Sequence, residues 1–275
     1  MHANGHHHEP LPPPTDVATD AYLESVVVAL GDTPETVITL QFLRDGTCEV
    51  LCVGDPADLE ALVIQSSEMP AEPIAFGSSA EGIGSLVPHL QPWGAINVPA
   101  DLADELIEPI AQAAGVTSVR MLDDVYHVLT EPVNADLAGE ARLLTAADAG
   151  VIQAATALIG DDAGRVLRTI EEGHVAGVIR EGELLSLAYT FATSDLHTDI
   201  GVVTRENARS QGLATMAGAA VVAAIQAGGK TPVWSTGSTN LASLKVAARL
   251  GFREVSRRTY LIPEFDDQPV DESTT

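Results

Sequence analysis

One strand–loop–helix stretch constrains the fold more than any other part of the sequence. Thr198–Thr204 is a β-branched run typical of a strand, and Arg205–Gln211 is a polar loop. An uncharged, alanine-rich segment of 20 residues follows from Ser210 to Gly229, interrupted by two glutamines and four glycines. This composition predicts a buried helix over Gly212–Ala227 rather than a membrane span.

The turn that joins this strand to this helix has the chemistry of an anion site. The first backbone amides of a helix are unpaired, and the helix dipole adds positive potential there. Gly212 allows a close approach of backbone and ligand, Ala214 leaves the first turn free of bulk, and Arg209 supplies forked donors for a phosphate. The Gly-Lys-Ser/Thr of a P-loop and the glycine triplet of a dinucleotide fold are both missing. An ordinary strand–loop–helix turn remains the alternative.

Charge narrows the choice of partners. The net charge is −25, from 14 Lys and Arg against 39 Asp and Glu. Such a surface repels nucleic acid and anionic membranes, so neither is an expected partner. Residues 1–140 carry 23 acidic and two basic residues, whereas residues 141–275 carry 16 and 12. Either the second half uses positive charge, or the first half uses negative charge to attract a cation, or the acidity serves solubility alone.

The remaining composition indicates a globular protein. A hydrophobic content of 45% excludes disorder over the whole length. Cys48 and Cys52 lie about 13 Å apart if extended, too far to form a disulfide, so we expect small core residues and a cytoplasmic location. Met1–Pro14 lacks the pattern of an export signal, its histidines read as a flexible tail, and no metal site is expected.

The sequence predicts two α/β domains that lie between polar tails. We expect disordered tails at residues 1–19 and 264–275, a smaller N-terminal α/β domain at 20–132 and a second domain at 138–263. In the first domain, Val37–Leu43 and Cys48–Val53 predict a strand pair joined at Asp45-Gly46. Asp55-Pro56 is expected to begin a helix that reaches Gln65.

The sequence of the second domain predicts a longer series of strands and helices. Its strands are Arg142–Leu144, His174–Ile179, Glu183–Thr190, Thr198–Thr204, Pro232–Ser235 and Phe252–Ile262. Helices are expected up to Ile159, over Arg165–Glu172, over Gly212–Ala227 and over Asn240–Leu250. The fold class is therefore α/β, or α+β, with a mixed central sheet and flanking helices.

Two segments of the second domain carry a family resemblance. Arg209-x-x-Gly212-x-Ala214 resembles the (Q/R)-x-x-G-x-(G/A) signature of the GNAT superfamily of N-acetyltransferases. Asn240-Leu-Ala-Ser243, followed by Gly251-Phe252, resembles the second conserved region of that family. The resemblance covers about residues 141–262, and the two-domain plan is similar to that of glycine N-acyltransferase-like proteins.

The resemblance implies acyl-CoA, such as acetyl-CoA, as co-substrate and an amine as acceptor. It places the CoA pyrophosphate on Arg209, Ser210, Gln211, Gly212, Leu213, Ala214 and Thr215, and pantetheine along Val202, Val203 and Thr204. The strand should splay from Pro232–Ser235, with the thioester in the opening and a backbone N–H near Val202 or Val203 polarising its carbonyl. Asn240 and Ser243 should face the pantetheine or the adenosine, and Asn240 can also cap its helix.

Catalysis needs a base, because a free amine with a pKa near ~10 is an ammonium ion at pH 7. His197 and Asp199 lie on one face of the predicted strand and are the candidates, although the sequence does not show which face looks into the site. Many GNAT proteins carry a tyrosine that acts as general acid seven residues after the asparagine of the second conserved region. In this sequence that position, counted from Asn240, is Ala247. Tyr260 is the substitute acid, with Tyr189 as a further choice.

The sequence therefore predicts an N-acetyltransferase that acts by direct attack of a primary amine on the thioester, and the acidic first half favours a cationic amine. Two other functions stay open. The second half could be a non-catalytic acyl-CoA-binding module, which the alanine at position 247 favours. The acidic first half could instead be the functional part of an interaction protein.

Overall fold

The computed structural model describes residues 20–160 and 163–265, which divide into two compact units. The first unit contains the chain up to Gly31, Phe42–Asp123 and the chain from Arg257. The second contains Asp32–Gln41 and Asp124–Ser256. Each unit thus combines segments that are distant in sequence. The expected end of the first domain at residue 132 and the expected start of the second at residue 138 stay predictions. The predicted tails at 1–19 and, from residue 266, at the C-terminus lie outside the described residues.

The first unit is built on a mixed sheet flanked by helices. Its strand order is β1-β2-β3-β4-β11, in which β3 and β4 are parallel and the other pairs antiparallel. The elements are α1 (Asp20–Leu30), β1 (Cys48–Val53), β2 (Ala61–Ser66), β3 (Ile74–Gly77), α3 (Ala80–Leu86), β4 (Ile96–Pro99), α4 (Ala103–Ala114) and part of β11 (Arg253–Glu264), and α2 (Val37–Asp45) crosses the boundary between the units.

The second unit is a mixed sheet with helices on both faces. Its strand order is β5-β10-β9-β8-β7-β6, in which β9 and β10 are parallel and the other pairs antiparallel. The strands are part of β5 (Ser118–Val128), β6 (Arg142–Leu143), β7 (Val175–Arg180), β8 (Glu183–Thr193), β9 (His197–Thr204) and β10 (Thr231–Gly237). The helices are α5 (Ala149–Ala154), α6 (Thr156–Ile159), α7 (Ala163–Glu172), α8 (Leu213–Ala227) and α9 (Leu241–Leu250).

Separate apolar clusters cover the two faces of this second sheet. On one face, Ile200 and Trp234 pack with α8 and α9. On the other face, Tyr189 and Leu187 pack with α5 and α7. Successive residues of a strand point to opposite faces, so the two clusters meet across the backbone of β8 and β9. This arrangement confirms the predicted fold class, a mixed central sheet with flanking helices.

The first half departs from the predictions in two elements. Val37–Leu43 is not a strand but the body of α2, because Val37, Leu40 and Leu43 recur every third residue and are all buried. Asp45-Gly46 therefore ends a helix instead of closing a hairpin, and β1 pairs with β2. The β-branched residues of this segment favoured the two-residue period of a strand over the 3.6-residue period of a helix.

The helix expected from Asp55 to Gln65 is also wrong. Asp55 does cap a short 3₁₀ turn, Pro56–Asp58, through its carboxylate and the Ala57 N–H at 2.9 Å. Leu59 then adopts φ 47°, and the chain continues as β2, whose six residues are all buried. A short, fully buried strand has no alternation, so its sequence resembles that of a buried helix.

The second half follows the predictions closely. Gly212–Ala227 and Asn240–Leu250 form α8 and α9, each beginning one residue later than predicted, and β7 to β11 lie within three residues of the predicted strands. Strong caps and glycine stops account for this accuracy. Asn240 caps α9, and Gly251 ends it with φ 98°.

Candidate functional site

Strands β9 and β10 separate within the second unit. Their parallel pairing covers His197, Thr198 and Asp199, which lie opposite Thr231, Pro232 and Val233. The pairing of these two described strands ends at Asp199, whereas β8 pairs with β9 as far as Thr204. The predicted splay is therefore present. It leaves the β10-facing edge of Val202–Thr204 available to an extended ligand, because backbone groups on an unpaired edge can accept another strand-like partner.

The loop after β9 has two residues with left-handed backbone geometry just before α8. Ser210 has φ 63° and Gly212 has φ 81°, and Gly212 is the N-cap residue of α8. The first hydrogen bond of the helix runs from the Met216 N–H to the Gly212 carbonyl oxygen. The amides of the preceding turn therefore lie before the helical ladder begins. Successive amides in such a left-handed turn form a concave nest for an anion, reinforced by the helix dipole.

This loop forms one wall of a cleft of about 840 Å³. Three cationic side chains, Arg209, Lys245 and Arg249, line it. A Cβ atom added at Gly212 would meet only the Arg249 guanidinium, 4.0 Å away, so the glycine leaves open space in front of that cation. The other lining residues are Leu158, Val202, Val203, Thr204, Ala208, Ser210, Leu213, Ala214, Thr215, Trp234, Asn240, Ala242, Ser243 and Val246.

Eleven of the twelve residues predicted to hold CoA line this cleft. Gln211 is the exception, since it lines a smaller cavity of about 340 Å³ and its Oε1 accepts a hydrogen bond from Arg180 at 3.2 Å. The smaller cavity shares Ser210, Gly212 and Arg249 with the cleft. The two spaces therefore adjoin at the start of α8.

Helix α9 forms the opposite wall. The Asn240 Oδ1 accepts a hydrogen bond from the Ser243 N–H at 3.2 Å, which caps the helix. The Ser243 Oγ accepts one from the Trp234 indole N–H at 2.9 Å, so the serine holds the ring that borders the cleft. Ala247 is fully buried in the core under α9. A side chain at that position points into the apolar cluster and not into the cleft.

Asp199 is a buried carboxylate at the point where the strands separate. Its side chain accepts hydrogen bonds from the Ser235 hydroxyl on β10, at 3.2 and 3.3 Å. Burial raises the pKa of Asp199 to about 7, the Ser235 hydroxyl opposes this rise, and the nearby Asp124 carboxylate adds to it. A carboxylate with this pKa can take up a proton near neutral pH. Asp199 does not line the cleft described above, and it lies about 10 Å along β9 from Val202.

His197 has a different place. Its Nδ1 lies 2.7 Å from Asp32 Oδ1, and Asp32 also accepts hydrogen bonds from the Ser194 hydroxyl and the Leu196 N–H. Burial alone would raise the pKa of Asp32, but the hydrogen bonds from His197, Ser194 and Leu196 hold it below its usual range. His197 therefore ties residues 32–41 to the β8–β9 turn, about 20 Å along the strand from Val203. This position favours a structural role.

Tyr260 belongs to the first unit. It lies on the part of β11 that pairs with β4, and its hydroxyl donates a hydrogen bond to Glu72 Oε2 at 3.3 Å. Tyr260 and Asp199 therefore belong to different units. The assignment of Tyr260 as the acid stays a prediction.

Sequence reasoning missed the two cations of α9. Lys245 and Arg249 are four residues apart and therefore share one face of α9. They follow the cap residue Asn240 by five and nine residues, and this spacing was the sequence signal that could have assigned them to the cleft side of the helix. It also missed Ser235, because no sequence pattern indicates that its hydroxyl crosses from β10 to Asp199. Leu158 was not predicted either, since it reaches the cleft from α6 on another part of the chain.

The described residues also bear on metal binding, membrane-spanning helices and reactive thiols. Within residues 20–160 and 163–265, no group of three or more His, Cys, Asp or Glu side chains is placed to hold a metal ion. In the same part of the chain, no helix is long and apolar enough to cross a membrane. Cys48 and Cys52 are free thiols, and burial raises the pKa of Cys48 to about 11, so this thiol is protonated at neutral pH.

Comparison with known proteins points to one family. Residues 170–261 match the family model described as GNAT acetyltransferase. No curated protein matches the chain in a sequence search. The matched region begins in α7 and ends in β11, so it includes both walls of the cleft.

Solved structures have the same fold at low sequence identity. A GCN5-related N-acetyltransferase-like protein from Streptococcus suis is 17% identical with a TM-score of 0.64, covering 89% of this chain and 99% of that one. An acetyltransferase of the GNAT family from Colwellia psychrerythraea is 15% identical with a TM-score of 0.56, covering 89% and 94%. A tandem GNAT protein from the clavulanic acid biosynthesis pathway is 12% identical with a TM-score of 0.55, covering 87% and 92%.

Proposed function

We propose that the protein is an acyl-CoA-dependent N-acetyltransferase, because residues 170–261 match the family model described as GNAT acetyltransferase. It transfers the acetyl group of acetyl-CoA to a primary amine by direct attack on the thioester. The observation that carries the proposal is the cleft. It joins an anion-binding helix start, three cations and the unpaired edge of β9 in one continuous space.

The residues of the cleft fit the chemistry of CoA. The amides around Gly212 and the side chains of Arg209, Lys245 and Arg249 suit a polyanionic diphosphate nucleotide. The edge of Val202–Thr204 offers backbone donors and acceptors in the spacing that an extended amide chain requires. Trp234 and Val246 supply apolar contacts between these two polar regions. When bound, acetyl-CoA supplies an activated thioester carbonyl whose carbon accepts the amine.

The backbone of β9 has the role of polarising that carbonyl. An N–H group near Val202 or Val203, on the edge that faces away from β8, is fixed by the sheet and needs no rearrangement during the reaction. A preorganised donor stabilises developing negative charge on oxygen better than mobile water does. We therefore expect positioning and carbonyl polarisation to account for most of the rate enhancement.

Asp199 has the role of general base. It takes a proton from the ammonium form of the acceptor through water, because it lies outside the cleft, and the neutral nitrogen then forms its bond to the carbonyl carbon as the C–S bond breaks. The nitrogen loses two protons overall: Asp199 passes one to solvent, and the other goes to the departing sulfur. A thiol has a pKa near ~8.5, so the thiolate leaves readily, and a tyrosine at position 247 is not required.

The acceptor that best fits the charge of the chain is a cationic primary amine. Residues 1–140 carry 23 acidic and two basic residues, and such a surface raises the local concentration of cations. A cytoplasmic location is part of the proposal, because the two cysteines are free and acyl-CoA is an intracellular thioester.

A second candidate function is a non-catalytic acyl-CoA sensor. Ala247 favours it, because the helix position that carries the acid in many family members is a buried alanine. The two functions differ in one assay. The full chain is incubated with acetyl-CoA and a panel of primary amines, and free thiol is measured together with calorimetric binding of acetyl-CoA. Binding with amine-dependent thiol release supports the enzyme, whereas binding without release supports the sensor.

A further inference from the structure

The ring of Tyr189 lies across the backbone of β9 at Gly201. The two residues are directly opposite in the β8–β9 ladder. A Cβ atom added at Gly201 would lie 2.6 Å from Tyr189 Cζ and 2.9 Å from its hydroxyl oxygen, closer than real Cβ atoms come to other atoms. The far end of the ring therefore occupies the space that a side chain at position 201 would fill.

This position coincides with the start of the splay. The last parallel pair of β9 and β10 is Asp199 with Val233, and Gly201 is two residues further along the same face of β9. The Tyr189 ring comes from the β8 side, so its hydroxyl end reaches over β9 toward the gap between β9 and β10. Asp199, on the same face, is about 7 Å along the strand from Gly201.

The ring belongs to an apolar cluster that borders the cleft. Tyr189 belongs to the apolar cluster against which Leu158 and Val203 pack, and both of those residues line the cleft. One apolar cluster thus includes the tyrosine and borders two residues that line the cleft.

The ring is also held in place. Only 5% of the Tyr189 surface is exposed. Phe191 packs beside it with ring centroids 6.4 Å apart, and the Arg165 guanidinium lies 4.7 Å from the centre of the Phe191 ring. A buried ring supported in this way cannot move aside at small cost, because close-packed interiors resist such shifts.

From this geometry we infer that Tyr189 is the end wall of the acyl pocket and restricts the acyl group to acetyl. The inference rests on the proposed function, since it assumes that the thioester lies in the splay. A two-carbon acyl group ends before the ring, whereas each further methylene meets it. This position of the ring requires glycine at residue 201, because any side chain there would displace the ring or fill the same space.

The test measures binding and not only turnover. Dissociation constants for CoA, acetyl-CoA and butyryl-CoA are measured by calorimetry on the full-length wild type and on Tyr189→Ala. Each buried methylene strengthens binding about fourfold, so the variant should gain up to about 15-fold for butyryl-CoA relative to acetyl-CoA. Tyr189→Phe is the matched control: it keeps the ring and loses only the hydroxyl, which fills about as much space as one methylene, so its relative gain for butyryl-CoA should not exceed about fourfold.

The outcomes separate the inference from the proposed function. Wild-type protein that binds butyryl-CoA as tightly as acetyl-CoA overturns the inference, as does a Tyr189→Ala protein whose preference is unchanged. If the alanine variant does not fold, Tyr189→Leu replaces it, with a gain in the same direction expected. If the wild type binds no CoA at all, the proposed function itself fails, and the inference fails with it.

Discussion

Gly212→Asp gives a sharp test of the anion site, because the structure fixes what the new side chain would meet. The Cβ atom at position 212 would lie 4.0 Å from Arg249 Nη1. A carboxylate there would pair with the cation intended for the ligand and would place negative charge among the amides before α8. Two unit charges 4 Å apart interact by about 1 kcal/mol in water and about 4 kcal/mol at an effective dielectric constant of 20. CoA affinity should therefore fall between about fivefold and about 1,000-fold.

The backbone needs its own control, because Gly212 has φ 81° and any side chain there adds strain of about 1–2 kcal/mol. Gly182, in the β7–β8 turn, has φ 80° and no atom within 4 Å of its added Cβ. Gly182→Asp therefore carries the same strain and the same charge away from the cleft. Calorimetric titration with CoA should give wild-type affinity for Gly182→Asp. Equal affinity in both variants, with both folded, would refute the assignment of the helix start as the pyrophosphate site.

Further predictions concern charge and proton transfer. Asp199→Asn should lower kcat/KM about 10²- to 10⁴-fold and abolish the rise of wild-type activity with pH through about 7, which a pH–rate profile checks. Because the folded-state pKa of Asp199 is raised, wild-type stability should decline between about pH 4 and pH 7, a loss that the asparagine variant avoids in thermal melts. Arg249→Ala should weaken CoA binding about tenfold and reduce its salt dependence, measured by titration at two ionic strengths. kcat/KM for a cationic amine should fall as salt is added, and a flat dependence would contradict steering by the acidic half.

Local signals explain why the second half was predictable. Asn240 and Gly251 mark the two ends of α9 through side-chain capping and a positive φ, and both effects depend on neighbouring residues alone. The same holds for the glycine that begins α8. The loop could therefore be located, and its anion chemistry inferred, without knowledge of the tertiary structure.

Tertiary context explains what the sequence did not show. Residues 61–66 form a strand because β1 and β3 flank them on both sides, and that environment is set by distant segments. The contact between Ser235 and Asp199 and the passage of the Tyr189 ring over Gly201 depend on register between strands. Register is a property of paired segments, so a single strand does not indicate it.

The central claim is that the cleft binds acetyl-CoA for transfer to an amine, and coupled product analysis tests it most directly. Purified protein is incubated with acetyl-CoA and one cationic amine at a time, and free thiol and acetylated amine are quantified in the same sample by mass spectrometry. The account predicts that thiol and amide form in equal amounts, that neither forms without the amine, and that Gly212→Asp suppresses both while Gly182→Asp does not. Thiol release that continues without amine, or amide formation unaffected by Gly212→Asp, would contradict it.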